Sequence, residues 1–363
     1  MSHAGSRVLQ LKLNGKLFGG WTEASITRGI AQAVSTFDLK VTDRWDNKQW
    51  AVAPFDDCQI LWNGSPIITG YIDTNAISYD AESHQISITG RSKTADLVDC
   101  SVASAQFKNQ NFQQIVQALC KPFGIDVVAQ VSTGSAFLSW KAEEGMPVFE
   151  AIENLARLRG LLLTDNGSGN LVITQASTTR ISTPLELGVN IKSGSGRFDV
   201  RDRFSDYIIK GQQKGGDEIS PEFAAHVSAT VKDTNVKRYR PLILQAEDQT
   251  DIATAQKRAR WESNVRFGLS QVFGYTVQGF EHANGLWQPN TLVHVKDKYL
   301  GLDTDLLITS VTNLLSNSGT ETYLTLGHPR AFIPEPIATP VKSKNSVTKK
   351  KPATGPQWDE LNP

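Results

Sequence analysis

Two adjacent carboxylates, Glu143-Glu144, have the residue types of a general acid and base. They stand directly before Gly145-Met146-Pro147 and an apolar-periodic run. They therefore read as a solvated loop leading into a helix N-terminus, where negative charge is favourable. Asp303-Thr304-Asp305 has the spacing of a cation-binding pair, but it lies between two expected strands and reads as a turn. Ser193-Gly194-Ser195-Gly196-Arg197 is glycine-rich without the Gly-Lys-Ser/Thr ending of a phosphate loop, and reads as a flexible crossing. The histidines (His3, His84, His226, His282, His294 and His328) show no HxH or HExxH spacing and no accompanying CxxC, which argues against a metal site. No Ser or Cys stands in the context of a nucleophile elbow. Lys257, Arg258, Arg260 and Arg266 make a basic helix face that could meet phosphate, yet such a face is ordinarily solvated. Nothing here converges on an active site. The sequence predicts no catalytic, cofactor-binding or metal-binding residues, no cofactor, and a chain that is not an enzyme.

The elements that would have to position any site are mostly strands. Asp57 to Gly90 reads as a strand, a tight turn at Asn63-Gly64, a long strand, a loop and a return strand. Ile86 and Ile88 alternate with Ser87 and Thr89, the period of a strand with one buried face. The same grammar returns at Thr291 to Gly327. Ile68-Thr69-Gly70 is echoed by Ile308-Thr309-Ser310, and His84 to Gly90 by Thr322 to Gly327. The chain is therefore read as carrying two related β units, one near each end. Ahead of the first, residues 7–14 alternate and close at Asn14-Gly15, and residues 24–41 give two more strands, with Phe37, Leu39 and Val41 on one face.

Between the units the pattern changes. Phe112, Ile115, Val116 and Leu119 fall at helical spacing, stopped by Pro122 and Gly124. Residues 125–131 read as a strand. A second helix opens at Pro147, with Val148, Ile152, Leu155 and Ala156 as its stripe and Gly160 as its cap. Residues 161–164 and 171–174 form a hairpin around Asn166-Gly167-Ser168-Gly169. Residues 176–200 read as a polar crossing, 206–210 as a strand, and 211–233 as a loop without a period. Thr250 or Asp251 caps a helix to about Phe267, with Ile252, Ala255 and Ala259 inward, and residues 271–280 form a strand. From Ala331 on, six prolines and five lysines fill a stretch that cannot bury a core and is expected to be disordered or extended, with Trp358 as a lone aromatic.

The fold class that follows is mainly β with α+β: two related antiparallel β domains, each with enough strands for a small β-barrel or sandwich, a small α+β domain between them, and a lateral helix. The expected domains are residues 1–100, the first β domain; 101–175, the α+β domain; 176–330, the second β domain, with an inserted loop and helix at 211–267; and 331–363, the tail. The 363 residues carry 37 basic and 37 acidic side chains, so the net charge is zero and no general phosphate-gripping excess exists. No run reaches the ~18 apolar residues of a membrane span, and the N-terminus lacks the apolar core of a signal peptide. Cys58, Cys100 and Cys120 form no CxxC and read as reduced, buried thiols of a chain made in the cytosol.

The two β units, the segment GMPVFEAIENLARLRGLLLTDNGSGNLVIT, and WQPNTLVHVKDKYLGLDTDLLITSV followed by LTLGHPRAF resemble the baseplate hub proteins of contractile-tailed, Mu-like bacteriophages over roughly residues 5–333. The architecture is similar to the T4-type hub and to the base of type VI secretion spike proteins. The resemblance implies a homotrimeric ring with tube-like barrels in the virion tail baseplate, assembled in the host cytoplasm. It also implies the partners: the chain's own copies, a trimeric membrane-piercing spike, the hexameric tail tube and other baseplate proteins. DNA would pass through the ring without specific binding, and no stable membrane insertion is expected. Two competing readings are a cell-envelope (peptidoglycan) hydrolase with residues 101–175 as its glycan-binding part, and a glycan-binding tail protein using Trp45, Trp50 and Trp287.

Overall fold

The computed structural model describes residues 8–30, 32–42, 52–82, 84–212, 227–246 and 251–333. The long C-terminal tail with Trp358, the loop bearing Trp45 and Trp50, and His3 and His226 lie outside the described residues.

The first β unit begins with Leu9–Leu13, which turns at Asn14-Gly15 into Lys16–Phe18. Asn14 and Gly15 have φ of 50° and 75°, and Asn63 and Gly64 have 50° and 80°. These are the paired positive angles of the tight hairpin turn that Asn-Gly favours. Glu23–Gly29, Thr36–Thr42, Asp57–Trp62, Ser65–Tyr79 and His84–Ser92 complete the unit. Their inward side chains, among them Leu11, Ile26, Leu39, Ile60, Ile68 and Ile88, meet in one core, so the sheet wraps around it.

The second unit repeats this plan. Leu292–Asp297, Leu302–Ser316 and Gly319–Gly327 follow one another with the lengths of the first unit's triplet, 6, 15 and 9 residues in both. Gln271–Gln278 pairs with the return strand as Thr36–Thr42 does in the first unit. Both long strands carry a bulge, between Ile72 and Thr74 and between Ile308 and Ser310. The bulges set Ile308 against Ile72 and Leu326 against Gly90. The correspondence expected from sequence, Ile308 with Ile68 and Gly327 with Gly90, is thus displaced along the strands. The extra residue at each bulge puts two residues of the long strand opposite one of its partner and switches which alternate positions face the core: Ile308 is buried before the bulge, Val311 and Asn313 after it.

Among the described residues neither unit closes into a barrel through its ladders. Leu302–Ser316 pairs with Glu23–Gly29, so the two units run on as one 13-stranded sheet. They share a core as well: Phe280, fully buried, lies in the first unit's cluster with its ring 4.5 Å from that of Trp62.

Residues 176–200 are not simply a crossing. Ile191–Phe198 is a strand antiparallel to Gln271–Gln278. A Cβ on Gly194 would come within 2.9 Å of the Tyr275 ring, so glycine there admits the aromatic side chain over the strand. The end of the loop expected at 211–233 is a strand. Val227–Lys232 and Pro241–Gln245 flank Asp206–Gly211 in a three-stranded sheet that shares a core with helix Ile252–Leu269. The Asp251 carboxylate accepts from the Thr254 N–H and caps that helix. Ala255 and Ala259 are buried as expected, but Ile252, in the first turn, is 61% exposed.

The α+β domain packs helices Phe112–Cys120 and Val148–Leu158 over strands Leu162–Asp165 and Leu171–Thr174, around a core of its own. Asn111 and Gln114 form a reciprocal capping box. Three contacts lock this domain to the first β unit. Ser35 donates from N–H and Oγ to Asp165, at 3.1 and 2.7 Å. Thr69 Oγ1 donates to the Gly167 carbonyl at 2.7 Å, and Thr164 Oγ1 to the Gly29 carbonyl at 2.8 Å. A Cβ on Gly167 would lie 2.3 Å from the Pro66 carbonyl oxygen, so only glycine allows this approach.

Two outcomes follow. Phe280→Ala empties a site shared by both β units and should cost about 3–5 kcal/mol in chemical denaturation. Burial pushes the Asp165 carboxyl above the usual range, against the hydrogen bonds it accepts from Ser92 and Ser35. A raised folded-state value means that ionisation opposes folding. The wild type should therefore lose stability relative to Asp165→Asn as pH rises from ~3.9 through the elevated folded value. Denaturation midpoints of both proteins across that window measure the difference.

Candidate functional site

The residues with potential chemistry are dispersed. Glu143 and Glu144 are both exposed, just ahead of helix Val148–Leu158. Asp303 and Asp305 are not in a turn. Both lie in strand Leu302–Ser316, and the turn is made by the residues before it, with Gly301 at φ 69°. They flank His294 on the neighbouring strand, with Asp305 Oδ1 at 2.8 Å and Asp303 Oδ1 at 3.0 Å from its ring nitrogens. Arg180 adds a contact to Asp305 at 3.3 Å. The His294 contact, with Arg180 in support, holds the Asp305 carboxyl below its usual range despite partial burial. This is an ion cluster on the sheet surface. Among the described residues no group of three or more His, Cys, Asp or Glu could cage a metal.

The basic helix face is divided. Arg258 and Arg266 both reach the buried carboxylate of Glu262, at 3.1 and 3.0 Å, whereas Lys257 and Arg260 are exposed. Cys58 and Cys120 are buried, and burial pushes each thiol up to about 12. Cys100, expected to be buried, is exposed because it follows the short helix Ala95–Asp99 on the surface. Trp287 is buried, so it offers no platform for a sugar. A cleft of about 780 Å³ opens where the two β units and the α+β domain meet. The charged residues described in its lining are Arg28 and Asp165, and both are held in hydrogen bonds to protein groups. It contains no free acid–base pair.

What the structure does build with care is a joint between sheet edges. In Glu23–Gly29, Ala24, Ile26 and Arg28 point inward by strand alternation. Opposite them are Val311, Asn313 and Leu315. Arg28 is buried and remains cationic, although burial pushes it down to about 10, opposed by the field of Asp165. Its Nη1 donates to Gln288 Oε1 at 2.8 Å, and its Nη2 to the Trp287 carbonyl at 2.9 Å and to Asn313 Oδ1 at 3.4 Å. Asn313 Nδ2 donates to Thr322 Oγ1, which donates to the Gly279 carbonyl. On the outer face the hydroxyls of Thr27 and Thr312 meet at 3.1 Å. Sequence reading passed over Arg28 and Asn313. The available signal was an arginine on the inward period of an otherwise apolar strand.

Two further edges have the same geometry and no described partner. Ile191–Phe198 is laddered on one side only, to Gln271–Gln278. The far half of Ser65–Tyr79, from Thr74 on, is laddered only to His84–Ser92. Large apolar side chains stand exposed on both: Phe198 at 57%, Ile77 at 56% and Tyr79 at 78%. Exposed, unpaired edges bearing apolar side chains are sites of chain–chain association.

Comparison with known proteins agrees with this picture of an assembly component. Residues 8–92 match the family model for the N-terminal part of Mu phage baseplate assembly protein GpP-like chains, and 94–175 that for the second domain of baseplate hub protein gp44-like chains. Residues 203–261 match the third domain of NMB1110-like tail proteins, and 251–335 the fourth domain of Mu phage baseplate assembly protein GpP. The chain is 34% identical over 340 residues to baseplate hub protein gp44 of Escherichia phage Mu, covering 90% of this chain and 89% of that protein. The crystal structure of the 43 kDa tail protein of prophage MuSo2 from Shewanella oneidensis matches with a TM-score of 0.79 at 37% identity, over 91% of this chain and 100% of that one. The tail protein from Neisseria meningitidis MC58 shares the fold, with a TM-score of 0.74 at 24% identity, over 92% and 99% of the two chains. Long, repeated β units, together with a relative 34% identical over 90% of this chain, place the chain in the family of Mu-type bacteriophage tail baseplate hub proteins.

Proposed function

We propose that this baseplate hub is a homotrimeric ring with pseudo-six-fold symmetry, which joins the hexameric tail tube to the trimeric membrane-piercing spike. The observation that carries the reading is the duplication within the chain. Two units with the same strand order and the same 6-, 15- and 9-residue triplet, taken three times, present six similar faces. A three-fold object of this kind can meet a three-fold partner with its whole chains and a six-fold partner with its units. Residues 1–100 and 176–330 act as the two tube-like domains. Residues 101–175 and the sheet-and-helix insertion lie lateral to them. Contacts between chains are head-to-tail and must close into a ring rather than grow without limit.

On this reading the chain performs no catalysis. It is made in the host cytoplasm and takes its place in the tail baseplate of the virion. The ring surrounds the path of DNA during ejection. A chain with 37 basic and 37 acidic residues suits that path, since a strongly basic lumen would retain the phosphate backbone.

Light scattering of the purified protein across a dilution series tests the oligomer. The expected mass is that of three chains. Interfaces of this obligate kind should bury more than about 2,000 Å², so the trimer should persist to low concentration and dissociate together with unfolding. A folded monomer at micromolar concentration would count against the ring.

A further inference from the structure

We propose that Trp358-Asp359-Glu360 folds back as a strap onto an arginine-rich surface of its own chain, beside the point where the residues beyond Ile333 leave the fold. The contact lies within one chain and does not depend on the ring.

The surface is built on two phenylalanines. The Phe204 ring carries the guanidinium groups of Arg240 and Arg266, at 5.0 and 5.4 Å. The Phe267 ring carries those of Arg203 and Arg330, at 4.8 and 5.3 Å. Stacking on a ring fixes a guanidinium and leaves N–H groups at its edge for an acceptor. Beside these rings the loop from Asp233 to Arg240 is pinned at its base. Arg203 Nε donates to Asp233 Oδ2 at 2.7 Å, the Ser205 N–H to the Arg240 carbonyl at 2.8 Å, and Arg240 Nε to the Arg203 carbonyl at 3.0 Å. The loop turns Lys237, Arg238 and Tyr239 to solvent, with Tyr239 85% exposed. Arg203 and Arg266 have carboxylate partners, Asp233 and Glu262. Lys237, Arg238, Arg240 and Arg330 have none among the described residues. In a chain of zero net charge this local excess is balanced by acids placed elsewhere in the sequence.

The residues beyond Ile333 emerge beside this surface. Trp261 Nε1 donates to the Ile333 carbonyl at 2.7 Å, Gly268 admits the backbone of Ala331, and Arg330 stacks on Phe267. The stretch 334–357 separates this exit from Trp358. A coil of that length spans about 25–30 Å, which holds its far end near the surface at roughly millimolar effective concentration. The sequence is graded in charge, with five lysines at 342–351 and Asp359-Glu360 directly after Trp358. The lysines are repelled by the arginines, so that stretch arches away while the acidic end returns. Two adjacent carboxylates suit the unpaired cations at 237–240, and an indole face is the best ring for a guanidinium. The acids at 213–226 and 247–250, in the same insertion, lie outside the described residues and have no neighbouring tryptophan. With the strap in place, another polyanion reaches this surface only by displacing it.

The carbodiimide EDC joins a carboxylate to an amine that it touches, and is applied to the full-length protein at low salt. In the band that runs as a single chain on a denaturing gel, peptide mass spectrometry should find Lys237 joined to Asp359 or Glu360. That link should be at least about ten-fold more abundant than any between those acids and Lys108, an exposed lysine of the α+β domain. It should fall at least about five-fold in Arg238→Ser and in Trp358→Ala, with unchanged thermal unfolding midpoints. It should fall as far in 1 M NaCl, where the screening length is about 3 Å. Asp359→Asn/Glu360→Gln should bind a short DNA duplex more tightly than the wild type does. Equal links from Lys237 and Lys108, or no link from Lys237 to Asp359 or Glu360, would overturn the strap. Lys237 joined chiefly to acids at 213–226 or 247–250 would assign the surface to the insertion's own loops and overturn it as well. A link confined to bands of two or three chains would give the surface to the tail of another copy, against the contact within one chain. Duplex binding equal in the wild type and the double variant would show the surface uncovered, and the strap would be wrong.

Discussion

A β-sheet edge cannot be left open without consequence, because its N–H and C=O groups and its half-covered core face await another strand. Much of this molecule follows from how its edges are treated. One edge of the second unit is used up inside the chain, where Ser310–Leu315 takes Glu23–Gly29 as its neighbour. That pairing fuses two repeated units into one sheet. It also sets the geometry in which a buried arginine can be tolerated: Arg28 is supplied with carbonyl and amide oxygens from Trp287, Gln288 and Asn313, all on the other unit. Removal of a charge from water is costly unless it is satisfied in this way. The arrangement therefore favours one register over its neighbours.

The remaining domains brace the joint. The α+β domain reaches the first unit through Asp165, Thr164 and Gly167, all at or near one hairpin. It reaches the second unit at Asn290, which holds φ 60° and whose Nδ2 donates to Thr174 Oγ1 at 3.3 Å and to the Gln175 carbonyl at 2.9 Å, while its Oδ1 accepts from the Ser177 N–H of the linker. Helix Ile252–Leu269 is joined to the end of the second unit, where Gly268 lets the backbone of Ala331 approach and Trp261 Nε1 donates to the Ile333 carbonyl. Both β units are thus tied to bodies outside the sheet.

Local features of the fold were legible in sequence because they depend on a few neighbouring residues. Asn14-Gly15 and Asn63-Gly64 gave their turns, Asp251 its cap, and Val148, Ile152, Leu155 and Ala156 their stripe. What escaped depends on partners far along the chain. Ile191–Phe198 has glycine and serine where a strand usually shows alternating apolar residues, and Tyr275 supplies the cover that its own side chains lack. Asp303 and Asp305 looked like turn residues because their partner, His294, becomes visible only once the strands are paired. The repeat was recognisable, yet its register was not, since a bulge in each long strand switches the in–out pattern partway along it. Arg28 and Asn313 lie 285 residues apart, and nothing local announces their contact.

The central claim is that the two units of each chain alternate around a closed ring as near-equivalent steps. A cryo-electron microscopy reconstruction of the assembled protein, with three-fold symmetry at most imposed, measures this directly. The account predicts that the first unit superposes on the second, within a chain and across chains, after a rotation of about 60° about the ring axis. A three-fold assembly in which the first units form one ring and the second units another, with no such rotation relating them, would contradict it.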